Sequence, residues 1–224
     1  MLRQAQQERH TVRPRQASGT LVALLILTLA GCAGAKGPLK AAAQSAAPDW
    51  HELATDDDQQ RLRSWRDAWT KAADAARQAG AGAKLDADPA LFDPDRALDH
   101  AAPPPGVYRC RWIKLGSAAP AVAPFTAYPA VPCRIAAAGK LMRFRLLGGA
   151  QRPHGYIFPD GPARDVFLGT LELGDETRAL EYGRDTKRDM AGYLERIGEN
   201  RWRLALPQPH FESLFDIIEI TPAA

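Results

Sequence analysis

The chain lacks the short signatures that announce most chemistries. No G-x-S-x-G sets a serine on a strained turn, and no H-x-x-x-H or C-x-x-C spaces ligands for zinc. His51, His100, His154 and His210 are scattered instead. Ala138-Gly139-Lys140 is missing both the earlier glycine and the following hydroxyl that a phosphate-binding loop needs. Cysteine is scarce, at 3 of 224 residues. The most apolar run, residues 21–30, is about half the roughly 20 residues that cross a bilayer as a helix. A dominant charge is missing too: the formal net charge is +3, but four arginines and one glutamate precede Cys32, leaving 25 bases against 25 acids beyond it. A nucleic-acid binder needs a basic excess to displace counterions from phosphates, so that partner class is set aside. No cofactor is implied by any motif.

What is present begins with an address. Arg3, Arg9, Arg13 and Arg15 precede the apolar run, which closes on Leu29-Ala30-Gly31-Cys32. Small residues before the cysteine expose the peptide bond to a signal peptidase, so residues 1–31 read as a lipoprotein signal and Cys32 as the acylated first residue. Two or more acyl chains hold a protein stably, which predicts a partner in the membrane itself through the anchor. Ala33 is not the Asp that retains some such proteins at the inner membrane, so the expected location is the cell envelope, periplasm-facing and at the outer membrane. With Cys32 assigned to lipid, Cys110 and Cys133 remain as a pair in an oxidising compartment, where a disulfide is expected.

Residues 32–48 are Ala, Gly, Lys, Ser and Pro with little to bury, and read as a disordered tether. Over 49–105 a helix and a connector are expected. Thr55 followed by Asp58 is an acidic capping arrangement, and Leu62, Trp65, Trp69, Ala72 and Ala76 recur on one helical face until Gly80 and Gly82. That seam packs on the protein's own domain or pairs with a partner helix. Asp86, Asp88, Asp93, Asp95 and Asp99 suggest calcium, but after Asp86 the central glycine and terminal glutamate of a calcium loop are not where they need to be.

From residue 106 the texture turns to β. Tyr108, Cys110 and Trp112 alternate with Arg109 and Arg111; Met142, Phe144 and Leu146 with Arg143 and Arg145; Trp202, Leu204 and Leu206 with Arg201 and Arg203. Further strands are expected over 131–137, 154–158, 166–173, 179–182, 190–197 and 211–221; the last would also suit a buried helix. The fold class is therefore mainly β, with an antiparallel barrel over 106–222, of which the lipocalin-like barrel is one form, preceded by one long amphipathic α-helix.

Two constellations are candidates for binding. In the first, Gln151, Arg152, His154 and Asp160 place a bidentate donor, a titratable ring and a turn acid within a few residues, and either line a binding mouth or shape a strand and its hairpin turn. In the second, Arg109, Arg111, Arg134, Arg143 and Arg145 form a basic face for an anionic envelope component or an acidic protein, or else pair with glutamates such as Glu172 and Glu195 across strands.

The chain resembles an uncharacterised group of bacterial envelope lipoproteins, domain of unknown function 4893. The likeness runs through Asp49-Trp50, the helix from Leu62 to Trp69, Tyr108-Arg109-Cys110-Arg111, Cys133-Arg134, Gln151-Arg152-Pro153, Phe158-Pro159-Asp160-Gly161, Phe167-Leu168-Gly169 and Arg201-Trp202-Arg203-Leu204. The resemblance implies a single domain and brings no catalytic residue with it. The expected role is a non-catalytic binding module; the alternatives are an inhibitor of an envelope-attacking hydrolase, using a loop such as 151–160, and a hydrolase.

Overall fold

Alternation of inward apolar and outward polar side chains closes eight strands into a barrel in the computed structural model, which describes residues 47–223. The signal, Cys32 and the tether as far as residue 46 lie outside the described residues.

The strands are β1 (Gly106–Leu115), β2 (Phe125–Ala127), β3 (Val131–Ala138), β4 (Leu141–Leu146), β5 (Gln151–Pro159), β6 (Arg164–Leu173), β7 (Asp189–Gly198), β8 (Arg201–Pro207) and β9 (Phe215–Pro222). β2 and β3 both pair antiparallel with β1, each strand from β3 on pairs antiparallel with the next, and β9 returns to β1 along its length, from Tyr108–Pro222 to Leu115–Phe215, so the ring has no open edge. β2, too short to read from sequence, continues the line of β3 along β1. Ile113 faces Ala127 and Cys110 faces Val131, so one extra residue enters around Tyr128-Pro129-Ala130, as in a β-bulge.

The interior is filled by Tyr108, Trp112, Ile135, Phe144, Ile157, Phe167, Leu194, Trp202, Leu204 and Ile218, with the Cys110–Cys133 disulfide on its wall, Cα atoms 5.8 Å apart. Its outer surface is treated in two ways. β3 and β4 keep alternating exposure and face water. β8 and β9 are buried on both faces over nearly their whole length, because the helices cover them. That is why 211–221 carries apolar residues in both registers, as a helix would.

The expected helix is present in two stretches, α2 (Asp56–Arg63) and α3 (Trp65–Ala76), after a single turn, α1 (Trp50–Leu53). Thr55 caps α2 by accepting the Asp58 N–H at 3.2 Å. The stretches part at Ser64, whose hydroxyl donates back to the Gln60 carbonyl at 2.9 Å in competition with the helical ladder. Trp69, Ala72 and Ala76 pack on Ile113, Leu115, Phe215 and Ile217 of the barrel, so the seam serves the protein's own core. Gly80, at φ +86°, leaves helical geometry and kinks the chain within Arg77–Ala81; α4 (Gly82–Asp86) and α5 (Pro89–Phe92) follow.

The strand expected over 179–182 is absent. β6 and β7 already have both neighbours, so the closed ring leaves no edge for it, and the segment is a loop. Its Tyr182 instead donates to Asp58 and accepts the Thr55 N–H at 3.1 Å. The connector's acids are the partners of arginines: Asp86 takes Arg77 at 2.8 Å, Asp95 takes Arg66 at 2.6 Å and Asp88 takes Arg201.

Candidate functional site

The inward register of β1 runs two residues past its apolar stretch. Tyr108, Cys110 and Trp112 point into the barrel, and by the same alternation so does Lys114. Opposite it in the ladder stands Asp216 of β9. The Nζ of Lys114 lies 3.4 Å from the Asp216 carboxylate and 3.2 Å from that of Glu212, and 4.8 Å from the centre of the Trp112 ring. A buried ammonium needs such partners, since an unpaired one pays the full loss of hydration.

Lys114, Glu212 and Trp112 border a cavity of about 200 Å³ at the end of the barrel where β1, β4, β6 and β8 finish; Asp216 lines only a smaller neighbour. Its walls are Cys110, Trp112, Val131 and Leu146, with Tyr128 and Pro129 from the bulge, Gly148-Gly149-Ala150 from the β4–β5 turn, and Gln151. Trp112, Lys114 and Gln151 also line an adjoining pocket of about 20 Å³ beneath His210 and Phe211, room for about one water.

Burial raises the Asp216 carboxyl to about 6, against the lowering pull of Lys114, Ser213 and Trp112. Ser213 donates its hydroxyl to Asp216, is itself buried, and lines neither cavity. The Trp112 indole lies near Asp216, but its Nε1 makes no hydrogen bond of sound geometry to any described group. Glu212 sits at φ +69°, a conformation that costs a non-glycine residue about 1–2 kcal/mol, and its side chain is 42% exposed.

Of the first sequence candidate, only Gln151 reaches this site. Arg152 ties the β5–β6 end together, donating to the carbonyls of Gly149, Gly174, Leu173 and Glu176 and to Glu172. His154 points outward, in line with Arg145 across β4–β5; burial first, then the charges of Arg145 and Arg143, lowers its pKa. Asp160 accepts the Trp50 indole N–H at 2.7 Å at the opposite end of β5, about 30 Å away at roughly 3.3 Å per residue. Residues 151–160 do not converge and do not project as a loop; they are the strand β5 and its turn.

The basic face is assembled in part. Arg111 turns to Glu219 at 2.7 Å and Arg145 to Glu172 at 3.0 Å. Arg143 stacks on Tyr156, 4.9 Å from the ring centre. Arg109 and Arg134 are exposed and form no ion pair with the described residues. Arg134 and Arg145 stand directly opposite each other, a like-charge pair that sheets ordinarily avoid.

Sequence reasoning missed Lys114, Asp216, Glu212 and Trp112 as a site. The available signal was parity: charges in register with Trp112 and Ile218 must point inward.

No curated protein and no solved structure matches the chain. The family model described as Domain of unknown function (DUF4893) matches residues 50–220, which takes in the helices, the cavity and all but the last two residues of the barrel, and the chain belongs to that family.

Proposed function

We propose that this is a lipid-anchored envelope protein, acylated at Cys32 and facing the periplasm from the outer membrane, that acts by binding and not by catalysis. The anchor reading is supported by Leu29-Ala30-Gly31-Cys32 and by a disulfide suited to an oxidising compartment. The binding reading rests on the cavity at the barrel end: apolar walls with a few convergent polar groups, Lys114, Glu212, Gln151 and Trp112, are the usual form of a small-molecule site. Binding is favoured over hydrolysis because the one serine near these carboxylates, Ser213, is committed to Asp216 and turned away from the cavity.

The test is native mass spectrometry of the full chain taken from membranes of the expressing cell. The expected species begins at an acylated Cys32 and carries a small non-covalent adduct that is lost in Val131→Phe, which fills the cavity. An unprocessed amino end would remove the anchor, and an adduct indifferent to Val131→Phe would remove the cavity as its seat.

A second, outer site is supported by Arg134 and Arg109, which form no ion pair with the described residues, with Arg134 facing Arg145 across the ladder; this suits an anionic envelope component. Retention on phosphate-bearing vesicles that falls in Arg134→Gln is the expected result there.

A further inference from the structure

The fully buried hydrogen-bonding capacity on the cavity wall is donor in kind, while Gln151, half-buried on the same wall, both donates and accepts. The Trp112 Nε1–H can only donate, is shielded from water, and has Asp216 nearby but no well-aligned acceptor among the described residues. Lys114 Nζ, whose side chain is 5% exposed, also only donates, and both of its carboxylate contacts are long, at 3.2 and 3.4 Å. Its two partners are not equivalent. Asp216 is fixed in the ladder, whereas Glu212 comes from the β8–β9 loop, half exposed and in a strained backbone conformation. Glu212 is the partner that a competitor would displace.

Apart from Gln151 and Glu212 the remaining side chains of the walls are largely apolar, and the volume is below the roughly 300–1,000 Å³ of sites for drug-sized molecules, so the occupant is narrow. Three of the seven large apolar side chains left exposed among the described residues, Tyr128, Leu147 and Phe211, lie at this same end of the barrel.

Resting on the binding reading above, we propose that the cavity takes the end of a single-chain aliphatic carboxylate, whose head replaces Glu212 on Lys114 beside the Trp112 indole. Released fatty acids and acyl chains with a terminal carboxylate share this chemistry. Glu212 is then a built-in stand-in for the ligand head: it keeps Lys114 paired while the cavity is empty and swings outward when a chain enters, relieving its backbone.

The experiment titrates octanoate, octanol and octylamine into the full chain held in phosphatidylcholine nanodiscs, with thermal midpoint and tryptophan fluorescence as readouts. Octanoate is expected to bind roughly tenfold tighter than the other two, the value of one charge-assisted hydrogen bond. Glu212→Gln, which removes the internal competitor, is expected to tighten octanoate several-fold and leave octanol unchanged; Lys114→Met should erase the preference for octanoate. If Lys114→Met fails to fold, Glu212→Gln still decides the matter, because its side chain lies at the surface. Octanol or octylamine binding as well as octanoate, or octanoate indifferent to Glu212→Gln, would overturn the carboxylate proposal and leave the cavity as a binding site. No effect of any of the three probes on either the native chain or Glu212→Gln would overturn both readings.

Discussion

Arg203 on β8 and Glu195 on β7 face each other across the ladder and meet at 2.6 Å, both fully shielded from water on the outside of the barrel. Arg203 also donates to the carbonyls of Leu91, Asp93 and Arg96 and lies 4.7 Å from the centre of the Trp69 ring. Glu195 holds Arg164 as well. One guanidinium therefore ties the connector and α3 to the sheet. Arg203→Leu is expected to destabilise the fold by about 3–5 kcal/mol in urea unfolding, since it leaves three carbonyls and one oxygen of a buried carboxylate without a donor. Arg203→Lys should recover little, because an ammonium lacks the planar fork that reaches several acceptors at once. A loss under about 1 kcal/mol for either would contradict this role.

Asp216 makes stability fall as pH rises through a defined window. Its carboxyl is lifted by burial from the ordinary 3.8 to about 6, so the folded state holds that proton more tightly than the unfolded chain. The contribution is complete below the lower value and lost above the higher one. Between these limits the native protein should lose roughly 3 kcal/mol relative to Asp216→Asn, taken as the difference between their unfolding free energies at each pH. Carboxylates held down by arginines, such as Glu172, act in the opposite sense in both proteins and cancel in the difference. A difference that stays flat, or that rises with pH, would sink the assignment.

Gly155 and Gly169 are opposite each other on β5 and β6, with the ring of Phe167 packed against both. A Cβ on Gly155 would come within 2.3 Å of the Leu168 carbonyl oxygen, and one on Gly169 within 2.5 Å of the His154 carbonyl oxygen. The missing side chains are the space that Phe167 fills. Gly155→Ala is expected to cost at least about 1–3 kcal/mol and to be partly rescued by Phe167→Leu, because only the ring contact is relieved. Thermal unfolding of the single and double variants reads both effects, and an unperturbed Gly155→Ala would show that the strands separate freely there.

The Cys110–Cys133 bridge joins β1 to β3 where the bulge begins, and spans 23 residues of chain. Closing a loop of that size should add about 3 kcal/mol by restricting the unfolded chain. Denaturation with and without reductant, alongside the double serine variant, measures it. Because Cys110 also lines the cavity, the double variant should weaken octanoate binding as well as stability.

Strands β1, β4 and β8 were legible because each buries one face and wets or charges the other, so composition alternates with the pleat. The Thr55–Asp58 cap and the apolar seam from Leu62 to Ala76 were legible for the same local reason. The reading of 179–182 failed because a run of suitable residues says nothing about whether an edge remains to pair with, and in a closed ring none does. Arg203 read as an outward, wetted residue; it is outward, but α3 and the connector lie over it. Gln151 was found and its neighbours in sequence were misassigned to the same site, because successive residues of a strand point to opposite faces and its two ends lie far apart.

The sequence by itself determined the pattern of strands only in part, namely β1 and β3 to β9 without β2 and with one false strand at 179–182, together with the cap and face of the helix, the partner of Cys110 and the family, since each follows from short-range periodicity or from a small number of possible pairings. Only the tertiary structure decided that Trp112, Lys114 and Glu212 line one cavity with Asp216 behind Lys114, and that the helices cover β8 and β9. Those facts depend on ring closure bringing β9 beside β1, a contact between residues about a hundred positions apart that no local pattern encodes.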